Sequence, residues 1–347
     1  MLGNEFGEEE AVLRIKTGVD LKDTSLREWV AFRIVDTSKR PHPIVRDKYN
    51  VWPTYNFASA IDDHEMGITH ILRAKEHIQN TRKQEFIYKY LGWTYPVSIH
   101  FGRISFSGIT LSKSKIRHTL ESNPDKYLGY DDPRFGTVAA LRRRGFVPEA
   151  IREVILQGGI RGVNSRITFE NLAAINKKYV DPIAKRVMFV GDPVKVKIEN
   201  LEMSSATLPI NPSNEKMGTR EITISTPEVY IERDDAKILE KKGVIRLFQL
   251  RNISFISKKK DHIFASTCEG SAEEAVAGGI PIVQWVPVEN ARNMSLLIPE
   301  GDTLIVKEGK VEGYIDSIKH GEIVQLLRTC FARIEKNKKI LAFYTHK

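Results

Sequence analysis

The chain has 347 residues with 41% hydrophobic and 28% charged content, a size that predicts two or three domains rather than one core. No run of about 18 apolar residues is present, which argues against a spanning helix, and the acidic, non-apolar start argues against a signal peptide. A net charge of +9 favours a polyanionic partner, and the two cysteines, Cys268 and Cys330, lack metal-type spacing and suit a reducing cytoplasm. In chain order, Ala11 to Lys16 alternates apolar and charged residues as a half-buried strand would. Ser25 and Glu28 have capping-box spacing ahead of the apolar run Trp29 to Phe32. Ile68 to Leu72 reads as a short strand. Thr81 then caps a predicted helix with Phe86, Ile87, Tyr90 and Leu91 inward, stopped by Gly92. Val97 to Phe101 alternates again and leads into Gly102-Arg103-Ile104, the carboxyl end of a strand, where open α/β sheets place ligands.

Residues 117 to about 182 read as helical. Thr137 starts a helix closed by Gly145. Pro148 opens a second that ends at Gly158-Gly159, and Phe169 to Tyr179 is a third. From Val187 onward the period changes to two (Val194/Val196/Ile198, Ile222/Ile224, Val229/Ile231, Ile245/Leu247, Leu304/Val306), so barrels or sandwiches are expected.

Chemistry first shows at Thr110-Leu111-Ser112-Lys113-Ser114-Lys115, after Gly108. Hydroxyls around a lysine suit triphosphate binding, although solvated loops produce such strings constantly. Residues 49–79 supply the context. Pro53-Thr54-Tyr55-Asn56-Phe57 and Gly67-Ile68-Thr69-His70 resemble the amino-acid-pocket segment of glutamyl- and glutaminyl-tRNA synthetases. Gly129 to Thr137 and Leu141-Arg142-Arg143-Arg144-Gly145 resemble the stretch after that family's activation loop. Asp192 to Val196 and Ile198-Glu199-Asn200 resemble the entry to its anticodon-binding barrels.

The resemblance, closest to the archaeal/eukaryotic glutamyl type, implies a multidomain α/β plus all-β chain. Residues 1–116 would be the C-terminal half of a class I, Rossmann-type catalytic domain. A helical connecting subdomain would follow at 117–184, and two anticodon-binding β-barrels at 185–347. It places Ser112-Lys113-Ser114 on the loop called KMSKS, with Lys113 stabilising the departing pyrophosphate and Leu111 at the nucleotide. The loop's first lysine is Thr110 here, so its role is lost or moved to Lys115. Arg103 and Ile104 match the pair lining the adenosine pocket, and Tyr55 the tyrosine that meets the substrate amino acid.

Arg73 stands where glutaminyl enzymes carry a small uncharged residue. A guanidinium there can hold glutamate's γ-carboxylate by two parallel charge-assisted bonds. The alternative is that it pairs structurally with Asp62, Asp63 or Glu65. Those acids are otherwise expected as helix N-terminal charge, and His64, His70 and His77 as ordinary satisfied or surface histidines. Arg142, Arg143 and Arg144 are candidates for tRNA phosphate, or a solvated helix end. Lys241, Lys242, Arg246 and Arg251 are candidates for the anticodon reader.

The implied function is cytoplasmic glutamate–tRNA ligation with ATP, Mg²⁺ carried by the ATP, and no protein-bound metal. The implied partners are tRNA(Glu), tRNA(Gln) as well in some relatives of this type, and no membrane. A glutaminyl enzyme and a non-catalytic tRNA-binding protein stand as alternatives. The family's second signature, His-Ile-Gly-His, has no counterpart: no His-x-Gly-His occurs. The chain alone is therefore expected to be inactive, or active only beside a partner that supplies the N-terminal half.

Overall fold

The computed structural model describes residues 1–347 apart from Asn4, Gly108, Thr110 and Asp261. The chain divides into two compact units, one of residues 1–105 with 158–165, the other of 106–157 with 166–347.

In the first unit, β1 (Val12–Arg14), β2 (Val30–Ile34) and β3 (Val51–Pro53) form an antiparallel sheet in that order. The alternation at the N-terminus does make β1, but Val12 and Leu13 stay about half exposed, so the strand buries no face there. The expected capping box at Ser25 and Glu28 does not form. Asp23 instead caps a single 3-10 turn over Thr24–Leu26 through the Ser25 amide, and Glu28 (φ 41°) turns the chain into β2. Val30, Phe32 and Ile34 suit a strand, and pairing on both sides overrides the helix-start signal.

Thr54 begins α1 (Tyr55–Glu65), which packs through Ala60 with Ile87 and Tyr88 of α2 (Ile78–Leu91) against Trp29 and Ala31. β4 (His70–Ala74) and β5 (Val97–Phe101) pair in parallel, with α2 as the crossover. Gly92, left-handed at φ 71°, ends α2 as expected, its amide reaching the Lys89 and Tyr88 carbonyls. The helix starts earlier than Thr81, however, and that rotates its inner face. Thr81, Gln84, Ile87 and Tyr88 are buried, while Tyr90 and Leu91 are exposed. Asp62, Asp63 and Glu65 lie in the last turn of α1 and not at a helix N-terminus, which corrects the dipole role expected of them.

β6 (Ile104–Phe106) leads toward α3 (Lys113–Ser122), followed by α4 (Val138–Arg144), α5 (Pro148–Gly158), β7 (Ser165–Ile167), which pairs with β6, and α6 (Phe169–Val180). Thr137 caps α4 by accepting the Ala140 amide (3.0 Å), and Gly145 closes it at φ 93°.

The rest of the second unit is β8 (Lys185–Val187), β9 (Phe189–Gly191), β10 (Pro193–Glu199), β11 (Ser204–Pro209), β12 (Thr219–Ile224), β13 (Glu228–Glu232), α7 (Arg233–Lys242), β14 (Val244–Leu247), β15 (Asn252–Lys259), β16 (His262–Cys268), α8 (Ala272–Ala277), β17 (Ile282–Val283), β18 (Val286–Pro287), β19 (Arg292–Glu300), β20 (Thr303–Val311), β21 (Ile323–Leu326), β22 (Cys330–Lys336) and β23 (Ile340–His346). Two seven-stranded, barrel-like sheets result. One runs β17-β14-β15-β16-β10-β13-β18, the other β8-β21-β22-β23-β19-β20-β9. The period-two residues Val194, Val196, Ile198, Val229, Ile231 and Ile245 fill the first core around Trp285. Met294, Leu296, Val324 and Ile334 fill the second. The chain thus enters the second sheet at β8 and β9, builds the first, and then returns.

The helices are tied to β23. Arg144 donates to the Tyr344 and Thr345 carbonyls (both 3.1 Å). Asn176 donates from Nδ2 to the Gly145 carbonyl (3.3 Å) and lies 3.0 Å from His346 Nε2. That contact makes Nε2 the acceptor, so His346 is neutral with its proton on Nδ1, facing the Lys347 carbonyl. Burial holds the His346 pKa below its ordinary value of 6.5. Its contribution to stability is therefore complete above the unfolded-state pKa. It is lost as pH falls from there toward the folded value, at up to about 1.4 kcal/mol per pH unit. Urea unfolding of the wild type and His346→Gln between pH 7.5 and 5 should show the gap between them closing at low pH. A pH-independent gap would refute the linkage.

Candidate functional site

The first unit carries Tyr55, Arg73, Arg103 and Ile104; the second carries Leu111, Ser112, Lys113 and Ser114. Arg73 lies on β4, only 8% exposed. Its Nη1 donates to Gln84 Oε1 (2.9 Å) and Thr81 Oγ1 (3.2 Å), both on α2. Among the described residues it has no carboxylate partner, so the alternative of pairing with Asp62, Asp63 or Glu65 is not realised. Nε is buried with no acceptor, and no hydrogen bond from Nη2 occurs among the described residues. A buried cation with no counter-ion costs several kcal/mol. Such a group is the strongest sign of a ligand in this unit.

The surrounding groups are neutral. Tyr95 donates its hydroxyl to Gln84 Oε1 (2.9 Å), and burial raises its pKa, which keeps it protonated. His100 Nε2 lies 3.0 Å from Thr81 Oγ1, and burial, followed by the charge of Arg73, pushes its pKa below 6.5. Arg73 is thus a single positive charge among uncharged hydrogen-bonding partners. Tyr55 opens α1 and is 54% exposed, its ring 6.2 Å from that of His77. Arg103 is exposed and pairs with Glu76 (3.1 Å), its amide donating to Asn164 Oδ1 (3.0 Å). Ile104 is half-buried.

Leu111, Ser112, Lys113 and Ser114 are all exposed at the start of α3. Ser112 is the cap, its Oγ accepting the Lys115 amide (3.5 Å) and lying 3.2 Å from Ser114 Oγ. Two hydroxyls and a lysine therefore share one helix N-terminus, a setting that favours anions. Thr110 and Gly108 lie outside the described residues.

The seven basic candidates separate by burial. Arg142 is exposed, as are Lys241 and Lys242 in the last turn of α7. Arg143 is half-buried between Asp131 and Glu335 (3.0 and 3.2 Å), and Arg251 donates to Ser204 Oγ (3.3 Å). Arg144 and Arg246 are buried, which corrects their reading as groups presented to RNA. Arg246 donates to Asn252 Oδ1 (2.9 Å) and the Gly270 carbonyl (3.2 Å). Burial lowers the Arg144 pKa to about 10, and its guanidinium lies 4.4 Å from the Phe169 ring centre. His64, unassigned to any site, stacks on Trp93 at 3.5 Å. Gln84, Thr81, Tyr95 and His100 were missed as site residues. Thr81 and Gln84 are two polar residues three apart, but that they turn inward follows only from the earlier start of α2, and no local signal marks Tyr95 or His100.

Comparison with known proteins agrees with this architecture. Residues 1–182 match the family described as tRNA synthetases class I (E and Q), catalytic domain, and residues 184–269 match the anti-codon binding domain of the same group. A protein named glutamate–tRNA ligase from Hyperthermus butylicus is 43% identical over 358 residues, covering 100% of this chain and 61% of that relative. One of the same name from Pyrococcus furiosus is 45% identical over 350 residues, covering 100% and 60%. The chain thus spans about three-fifths of the length of these relatives. A solved glutamate-tRNA synthetase from Elizabethkingia anophelis has a TM-score of 0.31 at 21% identity over 46% of this chain and 34% of its own, too slight a likeness to bear on the site. On the match over its first 182 residues, the chain belongs to the class I tRNA synthetases of the E and Q group.

Proposed function

We propose that this chain is the activation-loop and tRNA-binding part of a glutamate–tRNA ligase, which forms glutamyl-adenylate from glutamate and ATP and transfers glutamate to tRNA(Glu). The observation that carries the choice of amino acid is Arg73: a buried guanidinium with, among the described residues, no carboxylate partner and an unused Nε/Nη2 edge. The γ-carboxylate of glutamate would neutralise it. The amide of glutamine would leave the cation uncompensated. Tyr55 would meet the rest of the amino acid.

Arg103, Ile104 and Leu111 are assigned to adenosine, and Ser112, Lys113 and Ser114 to the phosphates, where the lysine can follow charge onto the leaving pyrophosphate. Mg²⁺ would arrive with the nucleotide. Arg142, Lys241 and Lys242 are the exposed cations assigned to tRNA; Arg143 and Arg251 stand at their margin. Glutamate tRNA is the main substrate and tRNA(Gln) a second candidate, with the cytoplasm as the compartment. The functional division runs 1–116, 117–184 and 185–347.

Calorimetric titration with L-glutamate and L-glutamine tests the pocket. Glutamate should bind at least about tenfold more tightly, and Arg73→Ala should erase the difference. Equal affinities in the wild type would overturn the glutamate reading. Binding to unmodified glutamate tRNA and an unrelated tRNA across a salt series tests the β region. A preference that survives moderate salt supports anticodon reading, whereas equal binding that vanishes with salt leaves only surface charge. With no His-x-Gly-His among these 347 residues, they should form no adenylate by themselves and should do so once an N-terminal half that carries the motif is supplied. Adenylate formation by the chain alone would refute this.

A further inference from the structure

Among the described residues, five arginines grip a carboxylate with the same edge of the guanidinium, Arg292 with both nitrogens on one oxygen of Asp316 (3.1 and 2.8 Å). Arg134 uses Nε and Nη2 on Asp132 (both 2.8 Å), and Arg143 uses them on Glu335 (both 3.2 Å). Arg220 does so on Glu312 (3.1 and 2.8 Å), and Arg233 on Asp192 (2.7 and 3.1 Å). That edge presents two parallel N–H groups at the spacing of carboxylate oxygens. Arg73 has the opposite pattern: its Nη1 is used twice, while Nε and Nη2 have no acceptor among the described residues.

The atoms that occupy Nη1 come from α2. Gln84 is 0% exposed, and Thr81 is buried one turn before it. The orientation of the Gln84 amide is settled by chemistry, because an arginine can only donate and the facing atom must be oxygen. Tyr95 donates to that same oxygen, which pins it from a second side. The Gln84 Nε2 amine is left buried with no acceptor. Leaving a buried donor unpaired is costly, and a leucine or methionine would fill the space without that cost. Glutamine is therefore an expensive choice for a merely structural position.

We propose that Gln84, helped by Thr81 and braced by Tyr95, is the positioning residue that holds Arg73 by Nη1, so that its Nε/Nη2 edge stays open to the substrate's carboxylate. Gln84 must be uncharged in this role. A glutamate at the same place would supply the carboxylate internally and close the site. The inference rests on the glutamate reading of Arg73 and adds the residue that makes this arginine a receptor instead of a structural cation.

The test compares Gln84→Glu and Gln84→Met with the unaltered chain, each titrated with glutamate and glutamine. Both variants should lose at least about tenfold in glutamate affinity with glutamine binding unchanged. Gln84→Glu should melt at or above the wild-type temperature, because it pairs a buried cation, so lost binding there cannot be blamed on unfolding. In ligand-free protein, the ¹⁵N–¹H signal of Arg73 Nε should shift in Gln84→Met. Wild-type glutamate preference in both variants, or an unmoved Arg73 signal, overturns the positioning role and leaves the reading of Arg73 intact. Absence of any glutamate preference in the unaltered chain overturns that reading, and the proposal falls with it.

Discussion

Glu312→Ala is expected to lower the free energy of unfolding by about 3–5 kcal/mol. The Glu312 and Arg220 side chains are 1% and 4% exposed, joined by Nε to Oε2 at 3.1 Å and Nη2 to Oε1 at 2.8 Å. Oε1 also accepts the Met188 amide at 2.6 Å. Arg220 belongs to β12, whose Ile222 and Ile224 pack into the first barrel core; Met188 lies between β8 and β9, which close the second sheet. One carboxylate thus ties the β11-β12 hairpin, which packs on the first core, to the segment between β8 and β9 of the second sheet. Removing it strands a buried cation and a buried amide at once, which is why the single change is severe. Replacing both partners, as in Arg220→Met with Glu312→Leu, should cost much less, since the desolvation of two charges is recovered. Urea unfolding monitored by tryptophan fluorescence measures both. A loss below about 1 kcal/mol for Glu312→Ala would mean that water reaches Arg220 and the site is not dry.

The second large effect is expected at Gly102. A methyl group there would lie 2.0 Å from the Val163 carbonyl oxygen and 2.6 Å from the Asn164 nitrogen. Both are backbone atoms, so no rotamer change relieves the clash. Gly102 also donates its amide to the Arg161 carbonyl at 2.7 Å, and the next residue, Arg103, bonds Asn164. Gly102→Ala should therefore cost about 1–3 kcal/mol and loosen residues 158–165 from the strand end that carries Arg103. Hydrogen exchange should report faster opening in that segment, together with a lower melting temperature. A variant with unchanged exchange and melting would show that the segment yields freely. The prediction also separates packing from chemistry, because Gly102 bears no side chain that could take part in binding.

Local signals in the sequence were sufficient wherever a residue acts on its immediate neighbours. Thr137 and Gly145 bound α4, Gly92 ends α2, and the period-two pattern from Val194 to Ile198 is a strand with one face in a core, because caps and pleats depend on contacts within a few residues. The helix-start signal at Ser25 failed for the converse reason: partners in β1 and β3, distant in sequence, claimed the chain first. Three adjacent arginines looked alike until the fold gave Arg144 to β23, shared Arg143 between two carboxylates, and left Arg142 in water. Arg73 was a candidate through the family resemblance alone; its burial without a carboxylate partner among the described residues came from the structure. That Gln84 faces it was not legible in the sequence, since the match depends on where α2 begins and on the parallel pairing of β4 with β5. Residue types and their local order determined the elements and the candidate chemistry. Which charges are buried, which are paired, and which edge of Arg73 stays open were decided by tertiary structure, because desolvation and hydrogen-bond geometry exist only once distant segments meet.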